Sequence, residues 1–183
     1  MRHSFGISAV AMMIAAGVAL QAQKTTEVHP GKGGSPHVRT EWAIDGANIS
    51  IEYGRPSLKG RDVRGTGRME AGKVWRLGAD EATTLKTDKS LMFGSTMVAP
   101  GTYTLYLLPG QGDAGWQLVI NKQTGQWGTQ YDEKQDLARV PLTVSKNATP
   151  VEQLTINMQD TAKGGDLHIN WGDVSARVPF MVH

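Results

Sequence analysis

The chain has no cysteine among its 183 residues. Disulfide bonds, thiol chemistry and cysteine-ligated zinc are therefore excluded. The chain also lacks an excess of charge of one sign, because 19 Lys and Arg stand against 17 Asp and Glu, for a net charge of +2. Nucleic acids and anionic membranes both favour clustered positive charge, so we expect neither as a partner. We also expect no cofactor.

No apolar run reaches the length of about 20 residues that a membrane-spanning helix requires. The uncharged run 7–20 follows the basic start Met1-Arg2-His3, and small residues around Ala22 come after it. That layout is typical of a secretory signal peptide. We therefore expect residues 1–22 to be a signal peptide cleaved after Ala22, with no transmembrane anchor after cleavage. The protein is then expected to be periplasmic or secreted.

Turn residues and alternating apolar positions are abundant in the rest of the chain. Residues 23–36 are polar, contain Gly and Pro, and predict a flexible N-terminal lead. From residue 37 onward apolar residues recur at every second position, and no 3.6-residue stripe is present. Asp45-Gly46 between Val38–Ile44 and Ala47–Tyr53 predicts a β-hairpin. Further strands are predicted at 82–87, 90–93, 102–108, 116–121, 138–144, 154–158, 167–171 and 174–180.

About ten short strands joined by turns predict an all-β fold. We expect an antiparallel two-sheet sandwich, similar to a jelly roll, that forms a single domain over residues 37–183. Two long connections interrupt the pattern. Gly54–Gly72 is rich in Gly and Arg, and Asn121–Asp136 contains Gln126-Trp127-Gly128. Loops of this length in a compact domain are usually functional or mobile.

These connections and their neighbours contain the candidate binding residues. Aromatic walls with Arg and a carboxylate at the rim can bind a sugar, a carboxylate or a peptide. The alternative is structural: Arg76 and Glu81 form a salt bridge that anchors the loops, and the Trp side chains fill the core. The candidates are Arg55, Arg61, Trp75, Arg76, Glu81, Trp127 and Tyr131.

Other familiar motifs are missing or incomplete. The segment Gly67–Val74 imitates a phosphate-binding loop, but Val74 replaces the required hydroxyl and no helix pattern follows, which argues against nucleotide binding. No G-x-S-x-G elbow is present. His29, His37, His168 and His183 have no metal-ligand spacing, so we predict no metal site, although a site assembled from distant strands stays open.

Four ordered stretches, 49–61, 72–84, 99–105 and 121–128, resemble the exported bacterial proteins of domain-of-unknown-function family 2911. The resemblance runs from about Ser35 to Phe180. It implies a single β-rich domain outside the cytoplasm, but it implies no activity and no residue roles. Two positions depart from the family pattern: Gly54 stands where Ser is common, and Asp80 stands where Asn is common.

Three functions are consistent with these observations. The first is a non-catalytic cell-envelope protein that binds a small-molecule, glycan or peptide ligand in a cleft between the two long loops. The second is an envelope hydrolase that uses Glu81, Asp132 or Glu133 as acid and base. The third is a structural envelope scaffold that acts through an exposed sheet edge. The oligomeric state is left open.

Overall fold

The computed structural model describes residues 23–64 and 68–183, and the expected signal peptide lies outside this part of the chain. Two antiparallel sheets form the fold, one of seven strands and one of four. The predicted two-sheet, all-β architecture is confirmed. Among the described residues no helix is long and apolar enough to cross a membrane. The strands are β1 Lys24–His29, β2 His37–Ile44, β3 Ala47–Gly54, β4 Thr84–Thr87, β5 Leu91–Phe93, β6 Thr96–Val98, β7 Gly101–Leu108, β8 Gln117–Asn121, β9 Asp136–Pro141, β10 Thr143–Thr161 and β11 Gly164–Val182. The strand order is β1-β2-β3-β4-β7-β8-β9 in the first sheet and β10-β11-β5-β6 in the second.

The hairpin between β2 and β3 shows how local sequence specifies the fold. Asp45 and Gly46 both have positive φ, at 46° and 74°, as the favoured two-residue hairpin turn requires. The turn sets the register that pairs Ile44 with Ala47. With this register Ile49 and Ile51 face the core between the two sheets and are buried. The strand alternation read from the sequence therefore matches the buried face.

Part of the N-terminal lead expected over residues 23–36 forms a strand. Lys24–His29 forms β1, which pairs antiparallel with the edge of β2. Thr25, Thr26 and Val28 favour extended backbone, but five of the six residues of β1 are exposed and the sixth is half-buried. A strand with no buried face has no apolar alternation, and that is why the pattern did not predict it.

The second sheet contains longer strands than the sequence pattern indicated. The predicted strand 154–158 lies inside β10, and 167–171 and 174–180 are joined in β11; both strands have 19 residues. Gly172, with φ of +58°, divides the two parts of β11 without ending the strand. The short edge strand β6 was not predicted, because three residues are too few to show alternation.

Hydrogen bonds between the sheets position the first long connection. The Arg55 guanidinium donates from Nε to the carbonyl of Leu154 at 3.0 Å and from Nη2 to the hydroxyl of Thr155 at 3.0 Å. Further along, Trp75 exchanges two backbone hydrogen bonds with Leu107 of β7, at 2.7 and 2.9 Å. The connection is thus attached to one sheet where it starts and to the other where it ends.

Candidate functional site

A cleft of about 620 Å³ lies where the two long connections meet. The turn 33–35 and the segment 73–79 complete its walls, and Trp171 of β11 also lines it. We call this cavity the basic cleft, defined by its cationic and aromatic lining residues. They are Lys59, Arg61, Arg68, Lys73, Trp75, Arg76, Tyr106, Tyr131 and Trp171.

The charge in the basic cleft is strongly unbalanced. Five cationic side chains line it, and Glu70 is the one carboxylate among the described lining residues. Glu70 is already engaged, because its Oε1 lies 2.7 Å from the ammonium of Lys73. Burial lowers the pKa of Arg68, and the positive charges of Arg61 and Arg76 lower it further. The guanidinium of Arg68 is therefore close enough to Arg61 and to Arg76 to be affected by their positive charges.

The Arg76 side chain is fixed by one guanidinium nitrogen and by the packing of its stem, and among the described residues its two terminal nitrogens stay available. Its Nε donates to the carbonyl of Gly78 at 3.1 Å. The stem lies against Gly128, where an added Cβ would come within 2.9 Å of the Arg76 Cδ. Within the described part of the chain, the two terminal nitrogens of Arg76 have no hydrogen-bond partner. The absence of a side chain at Gly128 thus allows the close approach of Arg76.

Stacked indole rings form one side of the basic cleft. Trp75 and Trp171 stack with their ring centroids 5.4 Å apart and an angle of 11° between the planes. Both side chains are buried, and both line the cavity. The Nε1–H of Trp171 is buried and has no hydrogen-bond acceptor among residues 23–64 and 68–183. A buried donor without a partner is rare in native proteins and is commonly explained by an unplaced water, ion or ligand.

Tyr131 contributes a neutral aromatic ring. Its hydroxyl donates to Asp136 Oδ2 at 2.6 Å and accepts from Arg139 Nη2 at 3.1 Å. Burial raises the pKa of Tyr131 to about 12, and the hydrogen bond to Asp136 adds to this effect. Its ring packs edge-on against Tyr106, with centroids 4.8 Å apart. The phenol therefore stays protonated at neutral pH and does not serve as a base.

Four of the seven candidate residues from the sequence line the basic cleft: Arg61, Trp75, Arg76 and Tyr131. The other three have different roles. Arg55 ties its loop to β10, as described above. Glu81 approaches Nε2 of His37 at 3.0 Å. Trp127 packs beneath the ammonium of Lys32, which lies 5.3 Å from the ring centroid.

The expected salt bridge between Arg76 and Glu81 does not form, because each side chain has another partner. The backbone on either side of Glu81 pairs instead with residues 126–128. Gly128 N–H donates to the Asp80 carbonyl at 2.9 Å, and Ala82 N–H donates to the Gln126 carbonyl at 3.1 Å. This pairing turns Glu81 away from the basic cleft.

Several residues of the basic cleft were missed by the sequence reasoning. Lys59 and Arg68 belong to the Gly- and Arg-rich connection, so the unusual composition of that connection was a usable signal. Lys73 directly follows that connection. Tyr106 and Trp171 lie on strands. On a strand, an aromatic residue that fills the core has the same sequence pattern as one that lines a cleft. For these two residues the sequence contains no distinguishing signal.

The acidic residues expected of a hydrolase do not face one another across the basic cleft. Asp132 caps the 3₁₀ turn Glu133–Gln135 by accepting from Lys134 N–H at 3.0 Å. Glu133 pairs with Arg139 at 2.6 Å. Glu81 pairs with His37. None of the three lines the basic cleft, so the acid and base that a glycosidase-like mechanism needs are not assembled there.

Comparison with known families gives a match over most of the chain. The sequence model of the family described as "Protein of unknown function (DUF2911)" matches residues 35–180. No curated protein and no solved structure matches the chain.

Proposed function

Because the chain belongs to the DUF2911 family, whose function is unknown, we propose a function from the basic cleft itself. The protein is an exported cell-envelope protein that binds a small organic anion, a carboxylate or phosphate with a ring or apolar portion. The observation that carries this proposal is that Arg61, Arg68 and Arg76 share one cavity with a wall of aromatic rings. Export follows from the signal-peptide layout of residues 1–22.

Charge concentration supports an anionic ligand. The whole chain has a net charge of +2, yet five cationic side chains line this one cavity. Guanidinium groups form paired hydrogen bonds with carboxylates and phosphates, which gives both energy and orientation. Like-charged groups that repel one another are stabilised when an anion binds between them. Such a ligand relieves the repulsion that Arg68 experiences from Arg61 and Arg76.

Cavity size and aromatic content support a small ligand with a ring. The volume of about 620 Å³ lies within the range of about 300–1,000 Å³ that is usual for small-molecule sites. The aromatic side chains of Trp75, Trp171 and Tyr131 line the cavity and provide apolar contact surface. Glu70 is paired with Lys73, and the phenol of Tyr131 stays protonated, so no free base faces the cavity from the described residues. We therefore propose binding without turnover.

Phenyl phosphate tests the proposal, with benzyl alcohol as the uncharged control. Isothermal titration calorimetry and tryptophan fluorescence should both report saturable binding of phenyl phosphate, and neither should respond to benzyl alcohol at the same concentration. Arg76→Gln removes a charge-assisted hydrogen bond that contributes about 1.5–3 kcal/mol, so affinity should fall by about tenfold to a hundredfold.

A matched variant distinguishes binding in the basic cleft from general attraction of the anion to surface charge. Arg177 lies on the surface of β11, where it pairs with Asp166 at 2.9 Å, and Arg177→Gln should bind phenyl phosphate as the wild type does. Three results would contradict the proposal: no binding at millimolar phenyl phosphate, equal binding of benzyl alcohol, or equal losses in the Arg76 and Arg177 variants.

A further inference from the structure

A cluster of metal-ligating side chains lies next to the basic cleft without lining it. His29 ends β1, His37 begins β2, and Glu81 lies in the connection before β4. One potential ligand atom from each residue lies within 4.8 Å of the other two. The Nε2 of His37 is 3.0 Å from Glu81 Oε2, and the Nε2 of His29 is 3.8 Å from the same oxygen.

We propose that His29, His37 and Glu81 bind a divalent transition-metal ion, with Zn²⁺ as the best match. Two imidazoles and one carboxylate are a donor set that this ion prefers in proteins. Metal–ligand bonds of about 2.1 Å place neighbouring donor atoms roughly 3.0–3.5 Å apart. The separation between His37 and Glu81 already lies in this range. His29 Nε2 lies 3.8 Å from the same oxygen, so it must come closer, and its ring, now stacked on His37, must turn toward the ion.

The exposure of the three side chains is suited to closing around an ion. His37 is only 2% exposed, so its ring is fixed by its surroundings. The side chains of His29 and Glu81 are 40% and 48% exposed, so they have room to move toward His37. A partly formed site with one rigid ligand and two adjustable ligands loses little packing when it contracts.

A fourth ligand is available from the backbone. The carbonyl oxygen of Ala79 lies 3.0 Å from Nε2 of His37, which is also the separation of two donors on one ion. Gly54 keeps this approach open, because a Cβ there would lie 2.4 Å from the Ala79 oxygen and 2.7 Å from His37 Nε2. Water or the Ala79 carbonyl can therefore complete the coordination.

Metal binding requires one specific rearrangement of His29. Without an ion its Nδ1 accepts a hydrogen bond from Gly31 N–H at 3.1 Å, and its ring stacks on His37 at 4.3 Å. When Nε2 binds the ion, the proton of the neutral ring is on Nδ1, and the hydrogen bond from Gly31 is lost. The Gly31 amide is therefore a reporter of metal binding that does not depend on any activity.

This inference does not depend on the proposed anion binding, because none of the three ligands lines the basic cleft. The test uses the purified protein, treated with EDTA, dialysed and titrated with ZnCl₂ in a calorimeter. We expect one ion per chain, and with Co²⁺ in place of Zn²⁺ the visible absorption of a low-symmetry site. In ¹H–¹⁵N spectra the Gly31 amide should shift as Zn²⁺ binds.

Variants of the two exposed ligands complete the test. His29→Gln and Glu81→Gln should each weaken Zn²⁺ binding at least tenfold while leaving the circular dichroism spectrum unchanged. His183→Gln removes another exposed imidazole, outside the cluster, and should bind Zn²⁺ as the wild type does. The proposal is overturned if 100 µM Zn²⁺ gives no binding, or if both ligand variants keep wild-type affinity. It is also overturned if His183→Gln weakens binding as much as they do.

Discussion

The hydroxyl group of Tyr53 joins the two sheets at a buried position. Tyr53 lies on β3 and is 2% exposed. Its hydroxyl accepts a hydrogen bond from the N–H of Ile156, on β10, at 2.9 Å and donates to the carbonyl of the same residue at 3.5 Å. Burial raises the pKa of Tyr53, so the group stays protonated and keeps both roles. Tyr53→Phe keeps the ring and removes this link.

The loss in the free energy of unfolding comes from the buried backbone N–H group that Tyr53→Phe leaves without an acceptor. In the Phe variant the N–H of Ile156 stays buried and loses its acceptor, which costs about 1–3 kcal/mol. For a chain of this size each kcal/mol lowers the melting temperature by about 2–4 °C. We therefore expect the melting temperature to fall by about 2–12 °C. The ring still fills its place in the core, so no large cavity adds to this value.

Urea unfolding followed by circular dichroism measures the change in the free energy of unfolding. Tyr103→Phe is the matched control, because the hydroxyl of Tyr103 donates to the carbonyl of Ala99 at 2.9 Å in an exposed position. Its loss should change the free energy of unfolding by no more than about 0.5 kcal/mol. The reasoning is refuted if Tyr53→Phe unfolds like the wild type, or if the control costs as much.

Two further predictions concern backbone packing and alkaline pH. Gly54→Ala places a Cβ 2.4 Å from the Ala79 carbonyl oxygen and should cost about 1–3 kcal/mol in urea unfolding; wild-type stability in this variant would contradict the close packing. Tyr131 has a pKa raised to about 12 in the folded protein, above the value of about 10 for a free phenol. Its contribution to stability is therefore complete below about pH 10 and is lost as the pH rises through about 12. Tyr131→Phe should weaken the alkaline dependence in thermal melts, while the buried Tyr53 keeps its own contribution; an unchanged profile would contradict the role assigned to Tyr131.

The sheets were predictable where the sequence signal is local. Asp45-Gly46 specifies a hairpin turn by itself, and alternation marks each strand that has one buried face. β1 has no buried face, so pairing with β2 is what makes it a strand. The continuity of β11 through Gly172 also depends on pairing, in this case with Val151 of β10. Both features depend on residues distant in the sequence.

The candidate site, like the sheets, was predictable only where the sequence signal is local. The Gly- and Arg-rich connection identified Arg61, because unusual composition is visible without knowing the fold. The position of Glu81 could not be predicted, since it is set by the pairing of its segment with Gln126 and Gly128. For the same reason the proximity of His37 to Glu81 has no signal in residue spacing.

Mapping phenyl phosphate onto the protein by ¹H–¹⁵N spectroscopy tests the central claim most directly. The account predicts saturable shifts of the Arg76 Nε–H and Trp171 Nε1–H signals and of backbone amides in 57–61, 73–79 and 128–131, the segments that contribute to one cavity. Benzyl alcohol should leave these signals in place. Shifts confined to other surfaces, or no saturable shift at millimolar concentration, would show that the basic cleft is not an anion-binding site.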